Sequence, residues 1–258
     1  MSLRTALLFA ASLLCAGADA GDIPPSERRS GYDLMSRETR AMQDDDAGNP
    51  GMLWVLDGEA LWNKKAGAAD RACSDCHGNA RESMKAVAAR YPAFDTALGR
   101  PVNLEQRINL CRTERQKAPA LAFESRELLA LTAYVGRQSR GLPIKIAIEK
   151  RTQPFLDAGR ETFHRRQGQL NLACSQCHDD NWGKRLAGSI IPQAHPSGYP
   201  LYRLEWQGLG SLERRLRGCL IGIRAEPYAY GAPEFVGLEL YLMWRANGMN
   251  IETPAVRP

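Results

Sequence analysis

Cys73-Ser74-Asp75-Cys76-His77 recurs downstream as Cys174-Ser175-Gln176-Cys177-His178. In each copy a pair of thiols is separated by two residues, and a histidine follows the second thiol directly. That spacing lets both sulfurs add across the vinyl groups of one porphyrin, with the histidine beneath the iron as proximal ligand. One such run arises by chance in a cysteine-bearing chain. Two copies at matching places predict two covalently attached c-type haems, with Cys73, Cys76, Cys174 and Cys177 as thioether anchors and His77 and His178 as axial ligands. Other readings explain less. A thioredoxin-like redox motif needs a βαβ context that is absent, and zinc held by the four cysteines leaves both histidines without a role.

The repeat extends beyond the pentapeptides. Gly58-Glu59-Ala60-Leu61-Trp62 precedes the first copy and Gly159-Arg160-Glu161-Thr162-Phe163 the second, at an offset of 101 residues. Leu104-Glu105-Gln106-Arg107-Ile108-Asn109-Leu110-Cys111 matches Leu212-Glu213-Arg214-Arg215-Leu216-Arg217-Gly218-Cys219, at an offset of 108. Leu131-Thr132-Ala133-Tyr134 matches Leu238-Glu239-Leu240-Tyr241. An internal repeat of this length predicts one unit written twice: a short helix with an aromatic, the haem motif, a loop, a helix ending at a cysteine, and an amphipathic helix. Leu128, Leu129, Leu131, Tyr134 and Val135 have the spacing of one buried helix face, as do Phe235, Leu238, Leu242 and Met243. Strand signals are scarce. The expected fold is therefore all-α, two tandem cytochrome c-like domains over residues 51–150 and 151–258, divided after the break at Gly141-Leu142-Pro143.

Residues 1–20 read as a cleaved signal peptide: Arg4, an apolar run from Ala6 to Leu14, and Ala18-Asp19-Ala20 before Gly21. The run is too short to span a bilayer, so no membrane span and a periplasmic location are expected. Cys15 leaves with the signal, because bulky Leu14 precedes it where a lipoprotein site wants a small residue. Residues 21–50, with Pro24-Pro25 and Asp44-Asp45-Asp46, read as an N-terminal extension, either wrapping the surface or forming a disordered arm. The 44% hydrophobic and 24% charged content is ordinary for a globular protein. A net charge of +5 without a basic run interleaved with aromatics excludes a nucleic-acid binder and fits anionic small molecules or acidic partners.

The sixth iron ligand is less plain. Met84 follows His77 by only seven residues and would have to turn back sharply. Cys111 and Cys219 each end the same matched helix, which favours one role performed twice, as distal thiolate of each haem; a Cys111–Cys219 disulfide is the competing reading in an exported protein. A thiolate lowers the reduction potential where methionine raises it, which argues against a simple electron carrier. Arg214, Arg215, Arg217 and Arg224 surround Cys219 in sequence, and guanidinium groups lower a thiol's pKa and bind oxyanions bidentately. Arg215 lies one helical turn before Cys219, on the same face, and is the candidate substrate ligand. His164 and His195, the remaining histidines, are further candidate iron ligands.

These residues, together with Arg214 to Pro227 and the tail from Leu240-Tyr241-Leu242-Met243-Trp244-Arg245 to Arg257, resemble the SoxA family, the dihaem cytochrome c subunits of L-cysteine S-thiosulfotransferase. The resemblance covers essentially the whole chain after residue 20. It implies oxidative attachment of thiosulfate to a cysteine of a SoxY carrier in a SoxYZ pair, with electrons leaving through a monohaem SoxX cytochrome c subunit. It implies further that Cys219 ligates the second haem and becomes a cysteine persulfide intermediate, that Arg215 binds thiosulfate, and that Cys111 is the distal ligand of the first haem. A dihaem electron carrier and a dihaem peroxidase are the alternatives.

Overall fold

Gly58 and Gly159 mark two places where one helix backbone lies directly on another. The computed structural model describes residues 23–258; the signal peptide read at residues 1–20 lies outside the described residues. The first half contains α1 (Arg37–Asp44), α2 (Met52–Asn63), α3 (Ser74–His77), α4 (Ala80–Ser83), a hairpin of β1 (Ala93–Asp95) and β2 (Arg100–Val102), α5 (Leu104–Cys111) and α6 (Arg126–Arg137). The second contains α7 (Gln153–His164), α8 (Cys174–His178), a small hairpin of β3 (Arg185–Leu186) and β4 (Ser189–Ile190), then β5 (Leu201–Arg203), β6 (Gly208–Gly210), α9 (Leu212–Gly222), α10 (Pro233–Arg245) and β7 (Ala255–Arg257).

The chain is thus not all-α, as its sequence led us to expect. Its strands are two or three residues long, too short to show a period of two, and all of β5 is buried, so no alternation exists to read. β5 pairs antiparallel with β6 and parallel with β7, joining Leu201 to Ala255 and Arg203 to Arg257 across the length of the second half. No local signal announces such a pairing.

The aromatic-bearing helices α2 and α7 cross α6 and α10 respectively. α6 is buried from Leu128 through Gly136, so the predicted face broadens to the whole helix. Phe235, Leu238, Leu242 and Met243 are likewise buried on α10. A Cβ at Gly58 would stand 2.1 Å from the Ala130 carbonyl oxygen, and one at Gly159 would stand 2.0 Å from that of Gly237. The contacts are backbone, so they cannot be relieved by turning a side chain. Gly159→Ala should therefore lower the unfolding free energy by about 3 kcal/mol, the upper part of the range for overpacking. A shift in the urea midpoint equivalent to less than about 1 kcal/mol would show that the helices part freely.

Capping sets where the two cysteine-bearing helices begin. Asn103 accepts from Gln106 N while the Gln106 side chain accepts from Asn103 N, and Ser211 accepts from Arg214 N. The second residues of these helices, Glu105 and Glu213, are buried near each other and near Glu239. Asn103 Nδ2 donates to both Glu213 and Glu239, at 3.1 and 3.3 Å, so the halves meet across a carboxyl cluster.

The described part of the N-terminal extension wraps the second half. Arg29 N donates to Gln193 Oε1 at 2.6 Å, Asn49 Nδ2 to Pro254 O at 2.9 Å, and Val256 N to Gln43 Oε1 at 3.0 Å.

Candidate functional site

His77 and His178 each line a cavity of their own, with the matched cysteine, Cys111 or Cys219, on its wall. The first cavity, about 510 Å³, is lined by Cys73, Cys76, His77 and Cys111, with apolar walls that include Leu131 and Val135. Trp62, from α2, donates from Nε1 to Gly78 O at 3.1 Å, and its ring lies 5.7 Å from that of His77. Burial, with Cys111 nearby, pushes the Cys73 thiol up; burial also raises Cys111. Met84 lines this cavity too.

The second cavity, about 290 Å³, is lined by His178, His195, Tyr199, Arg203, Arg215 and Cys219, among others. His178 Nδ1 lies 2.6 Å from the Pro192 carbonyl oxygen, which can only accept, so Nδ1 carries the proton and Nε2 keeps its lone pair free to bind a metal. Burial, then Arg215 and Arg245, hold the ring below the ordinary histidine range, in the neutral form that binds iron. Burial and the neighbouring Cys219 raise both motif thiols, Cys174 to about 12. Both predicted anchors of this motif therefore stand within electrostatic reach of the predicted distal cysteine.

Cys111 and Cys219 are free thiols in separate cavities, and the competing disulfide between them is not formed. Among the described residues no three His, Cys, Asp or Glu side chains close on a point as ligands of a bare metal ion. In the first cavity two thiols, Cys73 and Cys76, line one space with His77, which suits a macrocycle anchored by two sulfurs. Two thiols and an imidazole, Cys73, Cys76 and His77, with Cys111 on the same cavity, fit a c-type haem.

The four arginines near Cys219 in sequence separate in space. Arg214 lies 4.3 Å over the Trp206 ring, Arg217 donates to Tyr228 O and lies 4.7 Å over Tyr230, and Arg224 sits in a left-handed turn at φ 57°. Arg215, on α9 with Cys219, lines the cavity. Of the remaining histidines, His164 meets Tyr241, while His195 lines the second cavity. His195 Nδ1 lies 2.9 Å from Arg29 O, its Nε2 is buried without a partner, and burial lowers its pKa to about 4. Tyr199 and Arg203 escaped the sequence reading because they lie on a different element from Cys219, at no helical spacing from it.

The family model for the SoxA/TsdA cytochrome c domain matches residues 57–144. The chain is 40% identical over 235 residues to the L-cysteine S-thiosulfotransferase subunit SoxA of Pseudaminobacter salicylatoxidans, covering 91% of this chain and 82% of that one. The chain belongs to the SoxA family. The SoxA subunit of Rhodovulum sulfidophilum is 37% identical over 231 residues, with 90% and 80% covered. The crystal structure of SoxXA from P. pantotrophus superposes with a TM-score of 0.86 at 32% identity, over 90% of this chain and 87% of that one. SoxA membership gives the chain the cytochrome c fold and a haem c cofactor, with short strands added to the helices.

Proposed function

We propose that this chain is the dihaem subunit of an L-cysteine S-thiosulfotransferase, working as two cytochrome c-like domains that arose by duplication, residues 51–150 and 151–258. After loss of residues 1–20 it acts in the periplasm with a SoxX cytochrome c subunit, on thiosulfate and the cysteine of a SoxYZ carrier. Among the described residues no helix is long and apolar enough to cross a membrane.

The overall change joins the sulfane sulfur of thiosulfate to the carrier's cysteine sulfur. A carrier thiolate and the thiosulfate dianion become one S–S-linked thiosulfonate monoanion, and two electrons leave to cytochrome c. The observation that carries this reading is Arg215 beside Cys219 on one wall, with His178 lining the same cavity. Arg215 binds the dianion through its planar fork. Cys219 bonds to the sulfane sulfur of thiosulfate as two electrons leave, giving Cys219–S–S–SO3⁻; the carrier's thiolate attacks that sulfane sulfur and releases the Cys219 thiolate, while hydrolysis of the adduct to sulfate leaves Cys219 as a persulfide. A haem held by Cys174, Cys177, His178 and Cys219 would supply the electron path outward. A haem held by Cys73, Cys76 and His77 would take Cys111 as a further ligand, which would leave that site an accessory role. An electron carrier has no use for an anion-seeking arginine on the cavity wall, and a peroxidase would need the haem iron left open, a position Cys219 would fill as ligand.

Arg215→Ala should raise the thiosulfate KM by about tenfold or more while haem content stays at the wild-type level, the scale of a lost charge-assisted hydrogen-bond pair. Loss of haem with an unchanged KM would make Arg215 structural and remove the main support for this site.

A further inference from the structure

The offset of 108 that relates Cys111 to Cys219 also relates Arg107 to Arg215 and Tyr91 to Tyr199, and it relates Asp95 to Arg203. Asp95 ends β1 and Arg203 ends β5, each the first strand of its hairpin. In the first cavity Arg107 Nη2 lies 2.5 Å from Asp95 Oδ2, while Asp95 Oδ1 accepts from the amides of Ala97 and Leu98 at 2.9 Å each. That arginine is neutralised. In the second cavity a guanidinium occupies the place of the carboxylate.

Arg203 is 8% exposed, and its Nε is buried without a partner. The carboxylate at its other edge, Glu205 at 3.2 Å, is 64% exposed and shielded by solvent. Arg203 feels the charges of Arg215 and Tyr199 and that of Cys219, so these groups share one small space. Arg257, on the same wall, is already held by Glu252. Two guanidiniums on one cavity, one of them buried and each feeling the other's charge, are unfavourable until an anion joins them.

We propose that Arg203 is the second half of an oxyanion clamp: with Arg215 it grips the sulfonate oxygens of thiosulfate and turns the sulfane sulfur toward Cys219. The clamp selects dianionic oxo-sulfur substrates over neutral or singly charged thiols. It also explains why the two cavities differ, since Asp95 occupies in the first the charge that the substrate supplies in the second. This rests on Cys219 and Arg215 forming the thiosulfate site.

The test is steady-state turnover of the haem-loaded complex with thiosulfate and carrier protein. Arg203→Gln should raise the thiosulfate KM about ten- to hundredfold, leaving the carrier KM, haem content and haem absorption unchanged. Arg203→Lys, which keeps the charge but loses the fork, should raise it by a smaller factor. A wild-type thiosulfate KM in Arg203→Gln, with Arg215→Gln impaired, overturns the clamp and leaves the active site standing. Normal values in both variants overturn clamp and site together. Altered haem content or absorption with an unchanged thiosulfate KM would assign Arg203 to the haem carboxylates instead. If Arg203→Gln fails to accumulate, Arg203→Lys decides, and a thiosulfate KM equal to wild type sinks the proposal.

Discussion

Cys219→Ala is expected to lower thiosulfate-dependent turnover by about a thousandfold or more, the scale of removing a nucleophile that acts as a unit with its neighbours, whereas Cys111→Ala should keep most of it. The two cysteines share their place relative to a haem motif but differ in their surroundings. Cys111 faces a cavity whose matched arginine, Arg107, is closed by Asp95. Cys219 faces one in which Arg215 and Arg203 both lack that closure. An anion drawn to the second cavity meets a sulfur, while one at the first meets a satisfied ion pair. In the proposed attachment Cys174 and Cys177 hold the haem covalently, so Cys219→Ala should retain it and separate loss of chemistry from loss of cofactor. Intact-mass measurement gives a second readout: part of the wild type should carry an added sulfur that Cys219→Ala lacks. Full thiosulfate-dependent activity in Cys219→Ala would end the sulfur-transfer mechanism proposed for this cavity.

The second large effect is on stability against pH. Burial raises Glu105 to about 7, Glu213 to about 8 and Glu239 well above the ordinary 4.5; nearby carboxylates add to this, Glu124 for Glu105, Glu105 and Glu124 for Glu213, and Glu105 and Glu213 for Glu239. In the unfolded chain each returns to the ordinary carboxylate value. Because the folded pKa is the higher one, the folded state binds more protons between the two values, and stability falls as pH rises. The contribution is complete below about pH 4.5 and declines above it, and those of Glu105 and Glu213 are gone once pH passes about 8. For Glu213 alone, moving from 4.5 to about 8 corresponds to a swing on the order of 4 kcal/mol. The urea midpoint of the haem-loaded protein should therefore fall clearly from pH 5.5 to pH 9. Glu213→Gln and Glu239→Gln, which keep the shape without the charge, should each flatten that slope. A midpoint constant over the range would mean that these carboxyls ionise freely in the folded protein. Asp95 titrates the other way, held low by the Leu98 amide and Arg107, and its contribution is lost only in acid below this window.

Much of this molecule is legible along the chain because its chemistry is local. The two Cys-x-x-Cys-His runs specify their own reach, and one helical turn is enough to link Arg215 with Cys219. Apolar spacing picked out α6 and α10, though not that α6 is buried on all sides. The short strands were not legible, since three residues carry no periodicity and β7 finds β5 only after the chain has folded back. The wrapping of the extension was equally hidden. Gln43 and Asn49 bond to a C-terminal segment some two hundred positions away, and neither sequence pattern nor composition distinguishes such a residue from one on a disordered arm.

The sequence by itself determined that two Cys-x-x-Cys-His runs, each followed by a further cysteine, stand about a hundred residues apart along the chain. Covalent spacing and helical period are properties of neighbouring residues, so they survive in one dimension. Only the tertiary structure decided that the two sites are electrically unlike. The charge state of a cavity depends on what the hairpin brings across from twelve residues before the arginine: Asp95 against Arg107 in one half, Arg203 against Arg215 in the other.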